Sequence, residues 1–414
     1  MTDVYYFFLI ILEINNITLY YAMNQEKFTC RWAALSLSSI AGVFLPDILL
    51  PRKASERISH ELVAVSTTGS KERAASWFNE YKIPNASSVT IYQSWEEMLE
   101  KGDFDIVYIS TPHPLHYQHV YRALHHKRNV LVEKPATMNR HQYEKLIDLA
   151  LHQGVVLMEA MWTRYLPAAR YFQEELLPRI GEVKRVYAEF SFPIVSEDLS
   201  HSTRFLDKQA GAGSLLDQGV YALTWADMAL NGLDENTSIT EVVHASSMSV
   251  PGVPNDVDDI NTVVLSKHAM DSDRQIAVGI ITTSMTLPGS SKPSFYQRLG
   301  AKRSAPAVRI EATKASVAVP FPPIRPEQLH VQWYGDEFVS ADGIEKEEVI
   351  DKPVERGWGI WYQADVIAQR VMEQRSMQGP GVVIGAVESL RVLGYLDQAR
   401  QLAHIKYDVA LEAV

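Results

Sequence analysis

Lys134, Asp217 and Tyr221 are residue types able to hold and transfer a proton. Lys134 closes the run Asn129-Val130-Leu131-Val132-Glu133-Lys134-Pro135, so its ammonium is held at the end of an apolar strand instead of sweeping through solvent. Asp217 and Tyr221 stand four residues apart, and on one helix that spacing puts both side chains on the same face. A tyrosine hydroxyl titrates at about 10, and an ammonium brought beside it would favour the phenolate and make a useful general base. A buried helix tyrosine with a satisfied hydroxyl is the structural alternative for Tyr221.

Two turns should share an edge with these residues. Ser110-Thr111-Pro112-His113-Pro114-Leu115-His116 and the Glu133-Lys134-Pro135 turn each follow a strand of parallel type, and open α/β sheets bind ligands at the carboxyl ends of such strands. Thr111, Pro112, Glu133 and Lys134 are therefore candidates to line a cofactor. His113, His116 and His119 repeat every three residues, but no carboxylate or cysteine joins them, and a zinc site is not expected.

The elements that must position these groups divide the chain in two. From Cys30 to Ala160, apolar runs alternate with helical stretches, the pattern of βαβ units. The expected strands are Cys30–Leu35, Glu61–Ser66, Val89–Tyr92, Asp105–Ser110, Asn129–Glu133 and Val155–Glu159. Ser94-Trp95-Glu96-Glu97 reads as a capping box, and Asn139 as the cap of a helix running to Gln153. Beyond Trp162, Val183–Phe192, Ile239–Ser249, Asn261–Ser266, Gln275–Thr283, Val308–Glu311 and Ser316–Val319 read as one antiparallel sheet, with helices at Gly213–Asn231, Trp361–Arg375 and Val387 to Ala403. The expectation is α/β: a Rossmann-like, doubly wound parallel sheet over residues 28–160, then an α+β unit over 161–414 with a large, mostly antiparallel open sheet.

The first strand-to-helix turn is where a dinucleotide fold carries G-x-G-x-x-G/A, so that backbone N–H groups can approach a pyrophosphate. Here it reads Ser36-Leu37-Ser38-Ser39-Ile40-Ala41, which keeps only the last small residue. Two readings stand: serines still permit the turn and donate to phosphate, or the site is lost. After the second strand come Thr67 and Thr68, with neither the arginine of an NADP site nor the acid of an NAD site; Lys71 or Arg73 could reach a 2′-phosphate from the next helix.

Composition narrows the function classes. Over 414 residues, 46% are hydrophobic and 21% charged, enough to bury sizeable cores, and a net charge of −11 argues against nucleic acid as the main partner. The single cysteine, Cys30, suits a reducing compartment and lies in an apolar strand where catalysis is not expected. Val4–Leu12 is apolar but spans nine residues with no basic flank, too little for a membrane span or signal peptide. Residues 1–27 read as an extension, disordered or from a mis-assigned start, outside the fold.

Three motifs in order, Val130–Asn139, Glu159-Ala160-Met161-Trp162-Thr163-Arg164-Tyr165, and Gly211-Ala212-Gly213-Ser214-Leu215-Leu216-Asp217-Gln218-Gly219-Val220-Tyr221, resemble the glucose-fructose oxidoreductase/inositol dehydrogenase family. Within it they are most similar to dimeric dihydrodiol dehydrogenases and fungal NADP-dependent D-xylose dehydrogenases, over Phe28 to Arg400. The resemblance implies that Lys134 lies by nicotinamide and substrate, that Tyr221 is the acid/base with Asp217 beside it, and that His116, Trp162 and Arg164 border the cofactor and substrate cleft. A structural ion pair is the alternative for Arg164. It also implies a homodimer joined through the open face of the second sheet, and with the single cysteine the expected location is the cytoplasm. The family's Gly-Thr-Lys-Gly turn has become Ala312-Thr313-Lys314-Ala315, so the departures gather where nucleotide binding matters. The expected function is an NADP-dependent oxidoreductase acting on a diol, sugar or related metabolite, with NADP binding weakened or lost. The alternatives are a redox-silent isomerase, lyase or cyclase in the same cleft, and a non-catalytic ligand sensor.

Overall fold

In a computed structural model of the chain, residues 27–195, 204–232, 237–253, 256–272, 274–291, 305–335, 346–377 and 380–414 are described; the Val4–Leu12 run lies outside them. Among the described residues, no helix is long and apolar enough to cross a membrane.

The strands are β1 (Phe28–Leu35), β2 (Ile58–Ser66), β3 (Thr90–Tyr92), β4 (Ile106–Ile109), β5 (Asn129–Val132), β6 (Val156–Glu159), β7 (Val183–Ser191), β8 (Ser238–Ser249), β9 (Asp258–Ala269), β10 (Gln275–Ser284), β11 (Val308–Ala312), β12 (Ala315–Val319), β13 (Gln328–Trp333), β14 (Glu347–Asp351) and β15 (Val382–Ile384). The first sheet has seven strands in the order β15-β6-β5-β4-β1-β2-β3, all parallel. Its central strands are unbroken apolar runs because helices cover both faces: every residue of β4 and β6 is buried. The strand order reverses between β1 and β4, which opens the crevice where dinucleotides sit in doubly wound folds. Local caps follow the sequence, with Ser94 Oγ accepting from Glu97 N (3.2 Å) and Asn139 Oδ1 from Gln142 N (2.9 Å).

The second sheet has eight strands in the order β14-β13-β12-β11-β7-β10-β9-β8. It is antiparallel except for β7 and β10, which run parallel because the chain leaves β7 and returns only after a helix and the β8–β9 hairpin. The helix Val220–Asn231 is buried along its whole length, and it packs on β7 and β10. Its entry is widened: Leu215–Gly219 forms a π-turn before the α-helix begins, where a uniform helix over Gly213–Asn231 was expected.

Val382–Ile384, read in sequence with the second unit, adds a strand to the first sheet beside β6. The helix Trp361–Met377 also packs against β6 and the helix Ala41–Ile48. The buried Asp47 carboxylate caps it from that neighbouring helix, accepting from Trp358 N (2.5 Å) and Trp361 N (3.1 Å).

Candidate active site

β4 and β5 are hydrogen-bonded neighbours ending level with each other, so the turns after them present His113 and Lys134 at one point of the sheet edge. The second unit meets that point with its π-turn. Lys134 Nζ donates to the Asp217 main-chain oxygen (3.0 Å), lies 3.6 Å from Asp217 Oδ1, and sits 4.9 Å from the centre of the Tyr221 ring. The three residues singled out in the sequence therefore converge from both units, Asp217 through the wider π-turn and Tyr221 through the first turn of the α-helix that follows.

The approach depends on two glycines. Gly211 (φ 77°) lies against the β4 turn, where a Cβ would stand 3.0 Å from both His113 Cβ and Pro114 Cδ. Gly213 (φ 144°) leaves no room for a Cβ beside Asp258, whose Oδ2 accepts from Leu215 N (2.9 Å) and Asn261 Nδ2 (2.8 Å) and so pins the start of the π-turn.

Burial works against the charged Asp217, but Lys134, His113 and Arg204 beside it outweigh that and hold its carboxyl below the ordinary range. Burial likewise opposes the Lys134 ammonium, yet Tyr221, Asp217 and Glu133 raise it above the usual lysine value. Tyr221 departs from the expectation of a lowered hydroxyl. Desolvation outweighs the pull of Lys134 and Glu133 opposes it too, so the phenol is pushed up and stays neutral. Its oxygen accepts from Trp162 Nε1 (3.3 Å), and the Phe190 ring meets its ring edge-on at 5.6 Å.

The remaining candidates sort by what they touch. Glu133 accepts from the buried Tyr108 hydroxyl (2.6 Å) and from Lys134 N (3.2 Å), and burial raises its carboxyl. His116 braces the two turns together: its Nδ1 faces Pro135 O (3.0 Å) and its Nε2 faces Thr111 O (2.7 Å). Thr111 Oγ1 pairs with His119 Nδ1 (3.0 Å), and Pro112 is exposed. Arg164 makes the contacts of an ion pair, with NH1 at 3.2 Å from Ser389 Oγ and 3.9 Å from Glu159 Oε2. Two residues of the cluster were missed in the sequence. His113 Nε2 faces Asp217 Oδ1 at 3.6 Å, and Arg204 NH1 faces Oδ2 at 3.5 Å. His113 was visible in the motif but considered only as a metal ligand, while Arg204 lies in a loop with no periodic pattern to mark it.

The turn after β1 tests the fit of a dinucleotide. Ser36 adopts φ 95°, the left-handed region where glycine is favoured, so the backbone makes the turn in spite of the Cβ. Ser38 Oγ accepts from Ala41 N (3.1 Å) and donates to Ser110 Oγ (2.8 Å), which ties the β1 and β4 turns together across the crevice and occupies a helix N-terminal N–H. Ser39 and Ile40 are exposed at the start of the helix Ala41–Ile48. Thr67 Oγ1 accepts from Gly69 N (3.0 Å), Thr68 is exposed, and Arg73 folds its side chain over Gly69, whose Cβ would stand 2.8 Å from Arg73 Cδ. The geometry suits a pyrophosphate at the helix start, reached over a hydroxyl instead of bare glycine.

Residues 41–161 match the family model described as "Oxidoreductase family, NAD-binding Rossmann fold", and residues 178–317 match the GFO/IDH/MocA C-terminal domain. The chain is 30% identical to D-xylose 1-dehydrogenase (NADP(+)) of Hypocrea jecorina, over 84% of this chain and 85% of that protein. It is 27% identical to trans-1,2-dihydrobenzene-1,2-diol dehydrogenase of Bos taurus, over 91% of this chain and 98% of that protein. Among solved structures, KijD10, a 3-ketoreductase from Actinomadura kijaniata in complex with NADP and TDP-benzene, shares the fold with a TM-score of 0.67 at 21% identity, covering 90% of this chain and 98% of that chain.

Proposed function

Because the chain belongs to the GFO/IDH/MocA oxidoreductase family, we propose that it is an NADP-dependent enzyme moving hydride to or from a secondary alcohol or hemiacetal carbon of a diol, sugar or related metabolite. The observation that carries this reading is the placement of Lys134 Nζ between Asp217 and Tyr221 at the carboxyl end of β5, one strand from the β1/β4 crevice where the strand order reverses. The nicotinamide, when bound, gives or takes the hydride. The chain's own residues handle the proton and the oxygen. A neutral Tyr221 phenol donates to the substrate oxygen in the direction of reduction, and Lys134 stabilises negative charge developing there. Asp217 keeps the ammonium charged and anchored. In the direction of oxidation, the same tyrosine must take the proton, which the nearby ammonium assists.

The residues proposed to hold the coenzyme are Ser36, Ser38, Ser39 and Ile40 at the pyrophosphate, Thr67 and Thr68 with Lys71 or Arg73 at the ribose, and Thr111, Pro112, His116, Glu133, Lys134 and Trp162 towards the nicotinamide. Arg164 supports that end from below through Glu159 and Ser389. Trp162, Lys134, Asp217 and Tyr221 would meet the substrate. A redox-silent enzyme is the second reading, favoured by the Ser38 hydroxyl on Ala41 N. Purified chain with NADP+ and, in turn, D-xylose and trans-1,2-dihydrobenzene-1,2-diol separates the two: NADPH should accumulate with a member of these classes, and none forming across a panel of sugars and diols would favour the second reading.

The chain is also proposed to act as a cytoplasmic homodimer. Tyr187, Ile280 and Val264 form a partly exposed row across β7, β10 and β9 on the face opposite the buried helix, an apolar strip suited to a second copy. Sedimentation should give a dimer at micromolar concentration, and a clean monomer would reject it.

A further inference from the structure

His113 enters the cluster from the turn after β4, yet the proton chemistry proposed above does not use it. Its side chain is only 7% exposed, and the Asp217 oxygen it faces at 3.6 Å is the one that lies 3.6 Å from Lys134 Nζ. We propose that His113 is a positioning residue, a neutral imidazole whose Nε2–H is turned to Asp217 and holds that carboxylate where it anchors Lys134. This rests on Lys134, Asp217 and Tyr221 being the working cluster.

The tautomer follows by elimination. His113 Nδ1 is buried with no hydrogen-bond partner among the described residues. A proton on Nδ1 would be a buried donor without an acceptor, and it would turn the Nε2 lone pair towards a carboxylate oxygen. With the proton on Nε2 the N–H dipole points at Asp217, and Nδ1 is left as an unpaired acceptor, which removes the lone-pair repulsion against the carboxylate. The ring has little freedom to turn away, since Gly211 packs against its Cβ and the His116 ring lies 5.8 Å off.

Burial pushes the His113 pKa down to about 3, so at neutral pH it brings a dipole and no charge. That suits its place. Oδ1 already faces the ammonium, and a second cation there would compete with Lys134 for Asp217. A neutral donor steadies the carboxylate without displacing the lysine. The cluster is then held from three sides: His113 from the β4 turn, Lys134 from the β5 turn, and Arg204 from the second unit. Without His113, Oδ1 is left to Lys134 alone, and the ammonium is drawn towards Asp217 and away from substrate.

The test uses the full chain without coenzyme or substrate. With ¹⁵N-labelled histidine, the His113 ring, identified by its loss in His113→Gln, should be neutral at neutral pH with the proton on Nε2, and in Asp217→Leu it should drift towards mixed tautomers. In parallel, the ¹³C signal of the Asp217 carboxyl is titrated in wild type, His113→Gln and His113→Leu. Leucine should move the carboxyl titration upward by about one pH unit, while glutamine, which keeps an N–H at the Nε2 position, should stay near wild type. A proton on Nδ1 in wild type, or the same Asp217 titration in all three proteins, would overturn the proposal. Neither readout needs turnover, so a failed hydride assay and a failed His113 role remain separate results.

Discussion

The turn after β5 and the turn after β1 lie on the same sheet edge, but they depend on different parts of their residues. At Lys134 the task is done by side-chain charge: an ammonium fixed by a carboxylate and a phenol from the other unit. At Ser36 to Ala41 it is done by backbone, through φ, close approach and free N–H groups, and side chains matter mainly by being absent. The first region brings together the ammonium, carboxylate and phenol that the proposed chemistry calls for. The second has kept its path, with Ser36 at φ 95°, while a hydroxyl covers one of its donors. A charge cluster fails when one member is replaced, whereas a backbone turn can accept Cβ atoms at a cost and still point the helix N-terminus at an anion.

That contrast predicts the largest effects at the charge cluster. Tyr221→Phe removes only the hydroxyl and Lys134→Ala only the ammonium, so each should lower kcat by about 10²- to 10⁴-fold on an identified substrate, with little change in melting temperature. Near wild-type turnover in Tyr221→Phe would remove the proposed acid/base, and strong destabilisation would instead mark a structural tyrosine.

Acid should strain the cluster side first. Burial lowers His113 to about 3 and His119 to about 4, against about 6.5 in an unfolded chain. Each therefore contributes stability that is fully present above pH of about 6.5 and is lost as pH falls towards the folded value, by about 1.4 kcal/mol per pH unit. Urea unfolding as a function of pH should show this slope, and His119→Gln should flatten it by one proton; an unchanged slope would mean that His119 is protonated in the folded chain.

Effects at the phosphate side are smaller. Arg73 folds over Gly69 at the end of β2, and if it serves the 2′-phosphate, Arg73→Ala should reduce the preference for NADP over NAD by about tenfold, or ~1.4 kcal/mol. Equal loss of both nucleotides would assign Arg73 no part in that choice. Smallest is the cap: Ser38→Ala should cost about 1 kcal/mol of stability and Ser38→Gly only a few tenths, measured by denaturant unfolding.

Much of this was legible in the residues themselves. The carboxyl halves of β1 and β2 and the strands β4 to β6 announced themselves because parallel strands covered on both sides are apolar runs, whereas the edge strand β3 is short and half-exposed with a weaker pattern; the caps at Ser94 and Asn139 were legible because cap chemistry is local. β15 was not legible: three apolar residues carry no periodicity, and the partner β6 lies far earlier in the chain. β13 did carry a signal, since Leu329, Val331 and Trp333 alternate with exposed or half-exposed residues, but it was not among the strands expected. The π-turn at Leu215–Gly219 depends on tertiary anchors, Asp258 and Asn261, which no local pattern reveals. Lys134, Asp217 and Tyr221 were recognisable by type and motif. Arg204 and the use made of His113 came only with the fold, because their partner Asp217 is supplied by another segment.

Whether the hydroxyl-covered turn after β1 still serves a coenzyme can be read by titrating NADPH calorimetrically into wild type and into the double variant Ser36→Gly, Ser38→Gly. Saturable heat is expected in both, with the double variant tighter by about tenfold because both Cβ obstructions and the Ser38 cap on Ala41 N are gone. No heat in either protein, with both chains folded, would contradict that expectation.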